Sequence, residues 1–444
     1  MPAQDLNLNP LLTLQSVRSK AHRVLDLANN NALNHFEYRP DRLDATVEYV
    51  IDVIQRDFGP NNYDTIPPHG RWQHFEVGGV PRIDQLLESW DEKGYQALEK
   101  TRGLIDLFFV SVLLDAGAGD AWKFTEPGSG NVYTRSEGIA VASYYMFRDG
   151  CFAGAGTGGE GERKDVVTGP GLQNFSVEAL YRGFQIDDEK NPLVGASARV
   201  EILQKLGGSL LQNKEFFGAT GRPGRPGSLV GMLPFLTGRE KLDYAELWGV
   251  LQTLLIPIWP SDRTKVAGEP VGDAWPLLAL SKHEATASES SDTAIIQPFH
   301  KLTQWLGYSL KVPFERLLGK EWDNAHLGTG LPEYRNGGLF VDMGVLTLKP
   351  EALERGLKNL GSKNGLPCFG AGDDEIVEWR AMTVALLDVL HERILGGGKF
   401  GDVSLSLPQV LEAGSWKAGR EIAAEKRPET RSSPILNSGD GTLF

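Results

Sequence analysis

Apolar residues recur along most of this chain with the three-to-four-residue spacing of a single helix face. In residues 43–58, the positions on that face are Val47, Val50, Ile51, Ile54 and Phe58. The same spacing predicts helical segments at 104–114, from 135 onward, and at 174–217, 242–259, 297–310 and 373–395. Strand-like alternation is scarce, apart from a β-hairpin predicted for 122–124 and 132–133.

These patterns predict a mainly α fold made of a single large helical domain with minor β-hairpins. No repeat or low-complexity linker divides the chain. We therefore assign an N-terminal arm to 1–40, the helical catalytic domain to 41–424 and a flexible tail to 425–444. The segment 153–170 is rich in Gly, Glu and Lys and is expected to form a mobile loop.

One stretch combines a buried-type apolar run with unexpected acids. The run 104–114 contains Asp106 and is followed by a glycine-rich turn, Asp120 and Trp122. A carboxylate inside such a run requires a partner, and Arg102 lies one helical turn earlier. The stretch therefore predicts either a functional site or a structural ion pair followed by a helix cap.

The composition narrows the possible functions. A formal net charge of -13 disfavours non-specific nucleic-acid binding, because phosphate contacts need a basic face. The two cysteines form no CxxC motif, which fits a reducing cytosol. The N-terminus lacks a basic region, and no apolar stretch reaches about 18 residues. We expect a cytoplasmic protein with no nucleic-acid or membrane partner.

Two segments place arginines beside turn-forming glycines. Segment 71–87 holds Glu76 and Arg82, so it either lines a pocket or forms a capped turn with its own ion pair. Arg222 and Arg225 lie among glycines and prolines. Such a loop either binds phosphate through guanidinium and backbone N–H groups or is merely solvated.

Acids near buried helix faces are further candidates. Glu246 lies beside Trp248 on an apolar helix, where burial would raise its pKa unless the side chain points to water. The remaining charged candidates are Arg135, Glu137, Asp273, Glu378 and Arg380. No GxSxG, HExxH, Walker A or Rossmann motif occurs in a credible context, and no metal or cofactor is predicted. Carboxylates with tryptophans suit glycosidic chemistry.

Five segments, four of them long, carry a family resemblance: HFEVGGVPRIDQLL (74–87), LIDLFFVSVLLDAGAGDAW (104–122), RSEGIAVASYYMF (135–147), GFQ (183–185) and EWRAMTVALLD (378–388). They resemble the fourth uracil-catabolism protein family of fungi and bacteria, over nearly the whole chain. The resemblance implies a route in which uracil becomes UMP, the ring is opened and urea is released. It implies cleavage of the C–N bond between ribose and urea as the step performed here.

A second similarity is one of motif order. Ala-Glu-Leu-Trp at 245–248 is similar to the Ala-Asp-Leu-Trp segment of queuosine-salvage N-glycosidases, with Glu in place of their catalytic Asp. Their other two motifs are similar to Glu-Trp-Arg at 378–380 and Ile-Asp-Leu-Phe at 105–108. This similarity implies a helical fold related to that of DNA glycosylases.

The resulting hypothesis is a hydrolase that cleaves the N-glycosidic bond of ribosylurea or its 5-phosphate. Glu246 would stabilise the cationic sugar or activate water, while Asp106 and Asp120 would hold ribose hydroxyls or urea N–H groups. The residues assigned to phosphate contacts and to the walls of the site are Arg82, Arg222, Arg225, Trp122 and Trp248. The other substrate-binding candidates are Glu76, Arg135, Glu137, Asp273, Glu378 and Arg380.

Two alternatives remain open at this stage. The chain could be a non-catalytic scaffold that binds a labile intermediate and associates with other enzymes of uracil catabolism. It could also be a urea-releasing amidohydrolase, although such an enzyme normally needs a metal or a nucleophile. A catalytic site needs room for a water molecule, whereas a scaffold would expose an apolar patch.

Overall fold

Helices carry most of the regular structure in this computed structural model, which describes residues 9–115, 121–154, 163–218, 223–232, 241–282 and 291–438. The helices are α1 (Leu14–Asn29), α2 (Leu43–Phe58), α3 (Trp72–Phe75), α4 (Arg82–Glu92), α5 (Ala97–Leu113), α6 (Arg135–Arg148), α7 (Gly169–Gln173), α8 (Val177–Gly183), α9 (Ala196–Gln212), α10 (Lys214–Phe217), α11 (Leu229–Met232), α12 (Tyr244–Leu255), α13 (Ser291–Ala294), α14 (Lys301–Leu318), α15 (Tyr334–Asp342), α16 (Pro350–Lys358), α17 (Asp374–Gly396), α18 (Leu407–Val410) and α19 (Trp416–Lys426). The mainly α fold class predicted from the sequence is confirmed.

The strands are short and pair two by two within the described ranges. They are β1 (Phe36–Tyr38), β2 (Lys123–Thr125), β3 (Val132–Thr134), β4 (Lys241–Asp243), β5 (Lys265–Val266), β6 (Glu269–Pro270), β7 (Ala274–Pro276), β8 (Ile296–Pro298), β9 (Glu321–Asp323), β10 (Leu346–Leu348), β11 (Cys368–Phe369) and β12 (Leu436–Asn437). The antiparallel β2–β3 pair is the predicted hairpin. By contrast, β1–β10 and the parallel β4–β9 and β11–β12 pairs join segments that are distant in sequence.

The core is organised around α5, whose residues are buried from Gly103 to Leu113 on every face. This burial explains why the sequence there is apolar all round rather than amphipathic. α5 packs against α14, while α17 packs against α1 and α15. Most buried apolar side chains belong to one contiguous cluster.

Predicted helix boundaries were accurate where turn residues mark the ends. α2 spans the predicted 43–58, and α6 begins at the predicted Arg135. α14 was placed wrongly at 297–310, because residues 296–298 form β8 and the helix continues to Leu318. α5 begins at Ala97, before its apolar run. The apolar pattern did not reveal this first turn, because the turn is partly exposed and therefore polar.

Both ends of the described chain pack onto the helical body. α1 lies against α17, and β12 pairs with β11 near the end of the chain. Within residues 425–438, Ile435 is buried and Arg427 pairs with Asp342. The division into arm, domain and tail stays a prediction. None of the described helices is long and apolar enough to cross a membrane.

A buried ion pair joins α17 to the start of α14. Both guanidinium Nη atoms of Arg380 donate to the two carboxylate oxygens of Asp273 at 2.8 Å. Asp273 also accepts the indole N–H of Trp275 at 2.8 Å and the backbone N–H of Lys301 at 3.0 Å. Burial acts to raise the pKa of Asp273, but the Arg380 charge and these donors outweigh it and lower that pKa.

We predict that Asp273→Ala lowers the free energy of unfolding by about 3–5 kcal/mol, because Arg380 would lose its carboxylate partner while remaining buried. Denaturant unfolding followed by circular dichroism measures this change. Glu354→Ala is the matched control, since Glu354 pairs with Lys358 on the exposed face of α16 and should cost under about 1 kcal/mol. Equal losses in the two variants would contradict the structural role of Asp273.

Candidate functional site

A cavity of about 270 Å³ lies where several helices begin. Its lining residues are His69, His74, Asp115, Arg135, Ser136, Glu137, Lys301, Trp305, Leu331, Glu333, Tyr334, Arg335, Trp379, Trp416, Arg420, Ser432, Ser433, Ile435, Leu436 and Asn437. The first turns of α6, α14, α15 and α19 contribute Arg135, Lys301, Tyr334 and Trp416. Helix α19 continues without a break from α18 through the π-helical turn Leu411–Ser415, so its first turn is not a free helix N-terminus. The positive ends of the other three helix dipoles lie at a cavity sized for a small molecule.

The wall formed by α5 and α6 is held in place by a fully buried arginine. Arg71 donates to the carboxylate of Asp115 at 2.5 Å and, through Nε, to Ser111 Oγ at 2.8 Å. Asp115 also accepts a hydrogen bond from Ser136 Oγ at 3.1 Å. These contacts fix the Asp115 carboxylate at the cavity wall, where α5 ends and α6 begins.

The same arginine sets the protonation state of His74. Burial lowers the pKa of His74, and the charge of Arg71 lowers it further, although Glu137 acts in the opposite direction. Arg71 Nη1 lies 3.4 Å from Nδ1 of the imidazole. Because a guanidinium only donates, Nδ1 is assigned as the acceptor and Nε2 carries the proton. His74 therefore presents a neutral ring to the cavity.

A second histidine is oriented by a carboxylate. His69 Nδ1 lies 2.6 Å from Oε2 of Glu412, which is carried by the π-helical turn Leu411–Ser415 that precedes α19. The His69 ring lies between Trp305 and Trp416, with centroid distances of 6.5 and 6.1 Å. This arrangement leaves Nε2 as the ring nitrogen available for proton transfer.

Lys301 and Glu333 bring opposite charges to the cavity. Lys301 is the first residue of α14, and burial lowers its pKa although Glu333 and Asp115 oppose the effect. Burial raises the pKa of Glu333, although its carboxylate accepts the backbone N–H groups of Arg335 and Asn336 at 2.9 and 2.5 Å. Both shifts favour the uncharged forms of an amine and a carboxylic acid.

The remaining walls come from α19 and the C-terminal segment. Arg420 donates to Glu137 at 2.7 Å and stacks 4.8 Å from the centre of the Trp416 ring. Ser433 Oγ is buried and makes no hydrogen bond to any described residue. Gly419 lets α19 approach the backbone of Arg335 closely, because a Cβ there would collide with that backbone.

Of the site residues predicted from the sequence, Arg135 and Glu137 line this cavity. Asp120 and Arg222 lie outside the described residues. Glu246 lies on the first turn of α12 and is not among the lining residues. No observation tests the roles of these residues, which stay predictions.

Asp106 is fully buried, and its partner is not the expected Arg102. Arg225 Nε donates to Asp106 Oδ2 at 2.7 Å, and the backbone N–H of Gly227 donates to Oδ1 at 2.7 Å. Arg102 instead pairs with Glu99, because residues 225–228 pack against α5 where Arg102 was expected to reach. Asp106 and Arg225 are thus together, but away from the cavity.

The other predicted candidates make structural contacts elsewhere. Arg82 pairs with Glu126 at 2.6 Å, and Glu76 accepts the indole N–H of Trp72 at 2.8 Å. The indole N–H of Trp122 donates to the carbonyl of Phe184, and that of Trp248 donates to the carbonyl of Leu12. Glu378 accepts three backbone N–H groups from residues 34–36. Asp273 and Arg380 form the pair described above. None of these side chains lines the cavity.

Sequence reasoning missed most of the cavity residues. They are His69, His74, Asp115, Lys301, Trp305, Glu333, Tyr334, Arg335, Trp416 and Arg420. The available signal was weak: an acid before a helix start at Glu333, and a carboxylate at the end of an apolar run at Asp115. Across the described ranges, no three His, Cys, Asp or Glu side chains are grouped to hold a metal ion. The prediction of no metal and no cofactor stays untested.

We predict that His74 makes the protein sensitive to acid. In the unfolded chain His74 titrates near its ordinary pKa of 6.5, whereas the folded chain resists protonation there. Stability should therefore fall as the pH drops below about 6.5, with a contribution of at most ~1.4 kcal/mol per pH unit. His74→Gln should flatten the dependence of the free energy of unfolding on pH.

The matched control is His326→Gln, which changes a solvent-exposed histidine and should keep the wild-type slope. Denaturant unfolding at a series of pH values between neutrality and mild acid measures all three proteins. A His74→Gln slope equal to that of the wild type would show that His74 is not held neutral.

The chain matches a family described as "Protein of unknown function (DUF1688)" over residues 10–444. It is 47% identical to "Protein urg3" of Schizosaccharomyces pombe over 445 residues, which covers 98% of each chain. It is 44% identical to "Uracil catabolism protein 4" of Lachancea kluyveri, over 97% of this chain and 98% of that protein. The resemblance to the uracil-catabolism family is thereby confirmed, and this chain belongs to the DUF1688 family.

Proposed function

We propose that this protein acts in uracil catabolism, as the name of its Lachancea kluyveri relative says of that protein, and that the cavity is its active site. The reaction proposed is hydrolysis of the N-glycosidic bond between a ribosyl group and urea. The observation that carries the proposal is that Asp115, Glu137 and Glu333 line one cavity with three tryptophans. Carboxylates stabilise the oxocarbenium-like transition state of glycosidic cleavage.

The three carboxylates suit different tasks. Asp115 and Glu137 form ion pairs with the guanidinium groups of Arg71 and Arg420. They would stabilise positive charge on the sugar and accept its hydroxyl groups. Glu333 has a raised pKa, and a protonated Glu333 would donate its proton to the leaving urea.

Water activation is assigned to the His69–Glu412 pair. Glu412 orients the imidazole through Nδ1, so Nε2 would take the proton of the attacking water. Trp305 and Trp416 flank this ring and would stack on flat parts of the substrate. This assignment replaces Glu246 as the proposed base, because His69 lines the cavity and Glu246 does not.

The cavity also favours an anionic substrate. Arg135, Lys301, Arg335 and Arg420 line it together with the N-termini of α6, α14 and α15. Guanidinium groups and helix N-termini both bind phosphate well. Of the two substrates considered, 5-phosphoribosylurea therefore fits better than ribosylurea.

A non-catalytic scaffold remains the second candidate function. It is supported by an exposed apolar stripe on and beyond α16, formed by Leu353, Leu357 and Leu360. Such a stripe could contact other enzymes of uracil catabolism, which we propose as the alternative role of this chain.

We predict that the purified protein releases urea from 5-phosphoribosylurea, faster than from ribosylurea, with or without EDTA. Glu333→Gln should lower the rate by about 100- to 10,000-fold, because glutamine lacks the proton that the leaving group needs. Glu246→Gln is the matched control and should keep the wild-type rate. Quantification of urea under single-turnover conditions measures all three proteins.

Each contrary result has a distinct meaning. No urea from either compound would contradict the N-glycosidase and favour the scaffold. A large loss of urea release in Glu246→Gln, together with full activity in Glu333→Gln, would assign the catalytic role to Glu246 on α12. Loss of activity with EDTA would require a metal, and faster release from the unphosphorylated compound would contradict the phosphate preference.

A further inference from the structure

Lys301 is unusual among the enclosed lysines of this protein. Lys20 donates to the carbonyls of Thr293 and Ala294 at 2.8 and 3.0 Å, and Lys349 donates to the carbonyl of Leu33 at 2.6 Å. Lys301 lines the cavity, and its side-chain nitrogen makes no hydrogen bond or ion pair to any described residue. Lys301 is half-buried at the cavity wall. An amine that lines a cavity without a protein partner is available to a ligand, which points to a function.

The backbone of Lys301 is fixed more firmly than its side chain is. Its N–H donates to Asp273, and the preceding His300 has a left-handed conformation with a φ of 48°. His300 Nε2 also lies 2.8 Å from the carbonyl of Leu11. The start of α14 is thus held from two sides, and it presents the Lys301 amine to the cavity.

The surroundings of Lys301 favour an uncharged, nucleophilic amine. Burial lowers its pKa, and Arg380 adds a nearby positive charge, whereas Glu333, Asp115 and Asp273 act in the opposite direction. The amine also lies at the positive end of an 18-residue helix. Desolvation next to another cation is a known way to activate a lysine as a nucleophile.

We propose that Lys301 Nζ attacks C1 of the ribosyl group and forms a covalent imine intermediate with the sugar. This inference rests on the proposed function, and it replaces direct attack by water with a two-step route. The amine would serve as the nucleophile that neither the sequence motifs nor the other cavity residues supply.

The first step exchanges one C–N bond for another. The Nζ–C1 bond forms while the bond between C1 and the urea nitrogen breaks, and Glu333 gives its proton to that nitrogen so that neutral urea leaves. The attached amine then returns a proton to Glu333. Glu333 then gives this proton to the ring oxygen as the C1–O bond of the ring breaks, which leaves a protonated imine and a Glu333 carboxylate.

The second step releases the sugar. Water adds to the imine carbon and gives its proton to His69 Nε2. The carbinolamine nitrogen takes up the proton from His69, and collapse expels the neutral lysine amine and forms the sugar aldehyde. The hydroxyl proton that is lost in this collapse returns to Glu333, which restores the starting state. The sum is one water consumed and one urea and one sugar formed, with no oxidation or reduction.

Borohydride trapping tests the proposal in the wild-type protein. Full-length protein is incubated with 5-phosphoribosylurea, sodium borohydride is added during turnover, and intact and peptide masses are measured. We expect a mass increase of one reduced phosphopentosyl group, mapped to the peptide that contains Lys301. The adduct should require both substrate and borohydride.

Two substitutions separate covalent from electrostatic roles. Lys301→Met and Lys301→Arg should each lower urea release by about 1,000-fold and abolish the adduct, because arginine keeps the charge but forms no such imine. Lys358→Met, which changes an exposed lysine of α16, is the control and should keep both activity and adduct. Circular dichroism checks that each variant is folded.

The outcomes distinguish this inference from the function on which it rests. Urea release by the wild type without an adduct, or with an adduct on another lysine, would overturn the role of Lys301 and leave the N-glycosidase intact. Near-wild-type activity in Lys301→Arg would likewise reduce Lys301 to a positive charge. Absence of urea release by the wild type would overturn both proposals together.

Discussion

The buried guanidinium of Arg71 is the interaction on which the cavity depends. It donates to Ser111 and Asp115 at the end of α5 and to the carbonyl of Ser136 in the first turn of α6. The backbone N–H of Arg71 donates to Ser309 Oγ on α14 at 3.0 Å. Because a buried guanidinium must have its donors satisfied, these contacts hold three helices in one arrangement. Burial lowers the pKa of His74, and the Arg71 charge lowers it further, so the ring stays neutral.

The second constraint is the meeting of helix N-termini. α6, α14 and α15 all begin at the cavity, so their partial positive charges add to those of the lining arginines. Acids are needed there to balance this field, and Asp115, Glu137 and Glu333 supply them. Burial disfavours the charged form of the lysine and of the acid alike. The pKa of Lys301 is therefore lowered, and that of Glu333 is raised.

The same residue types serve different purposes in the core and in the cavity. The pairs Asp106–Arg225, Arg82–Glu126 and Asp273–Arg380 are deeply buried and bonded to each other. In each pair, the contact between the opposite charges offsets the cost of removing both side chains from water. The paired side chains therefore leave no face open to a ligand. The cavity residues are equally polar, but each keeps one side toward an open volume.

The amino-acid sequence alone determines the helical fold class, both limits of α2, the start of α6 and the β2–β3 hairpin. These features follow because periodicity and turn residues are local properties. The family also follows, since long motifs are read directly. The site did not follow, apart from Arg135 and Glu137. Its members come from eight parts of the chain, between His69 and Asn437, and are brought together by helix packing. An acid in an apolar run shows only that a partner is needed, and the tertiary structure decides whether that partner is an arginine or a substrate.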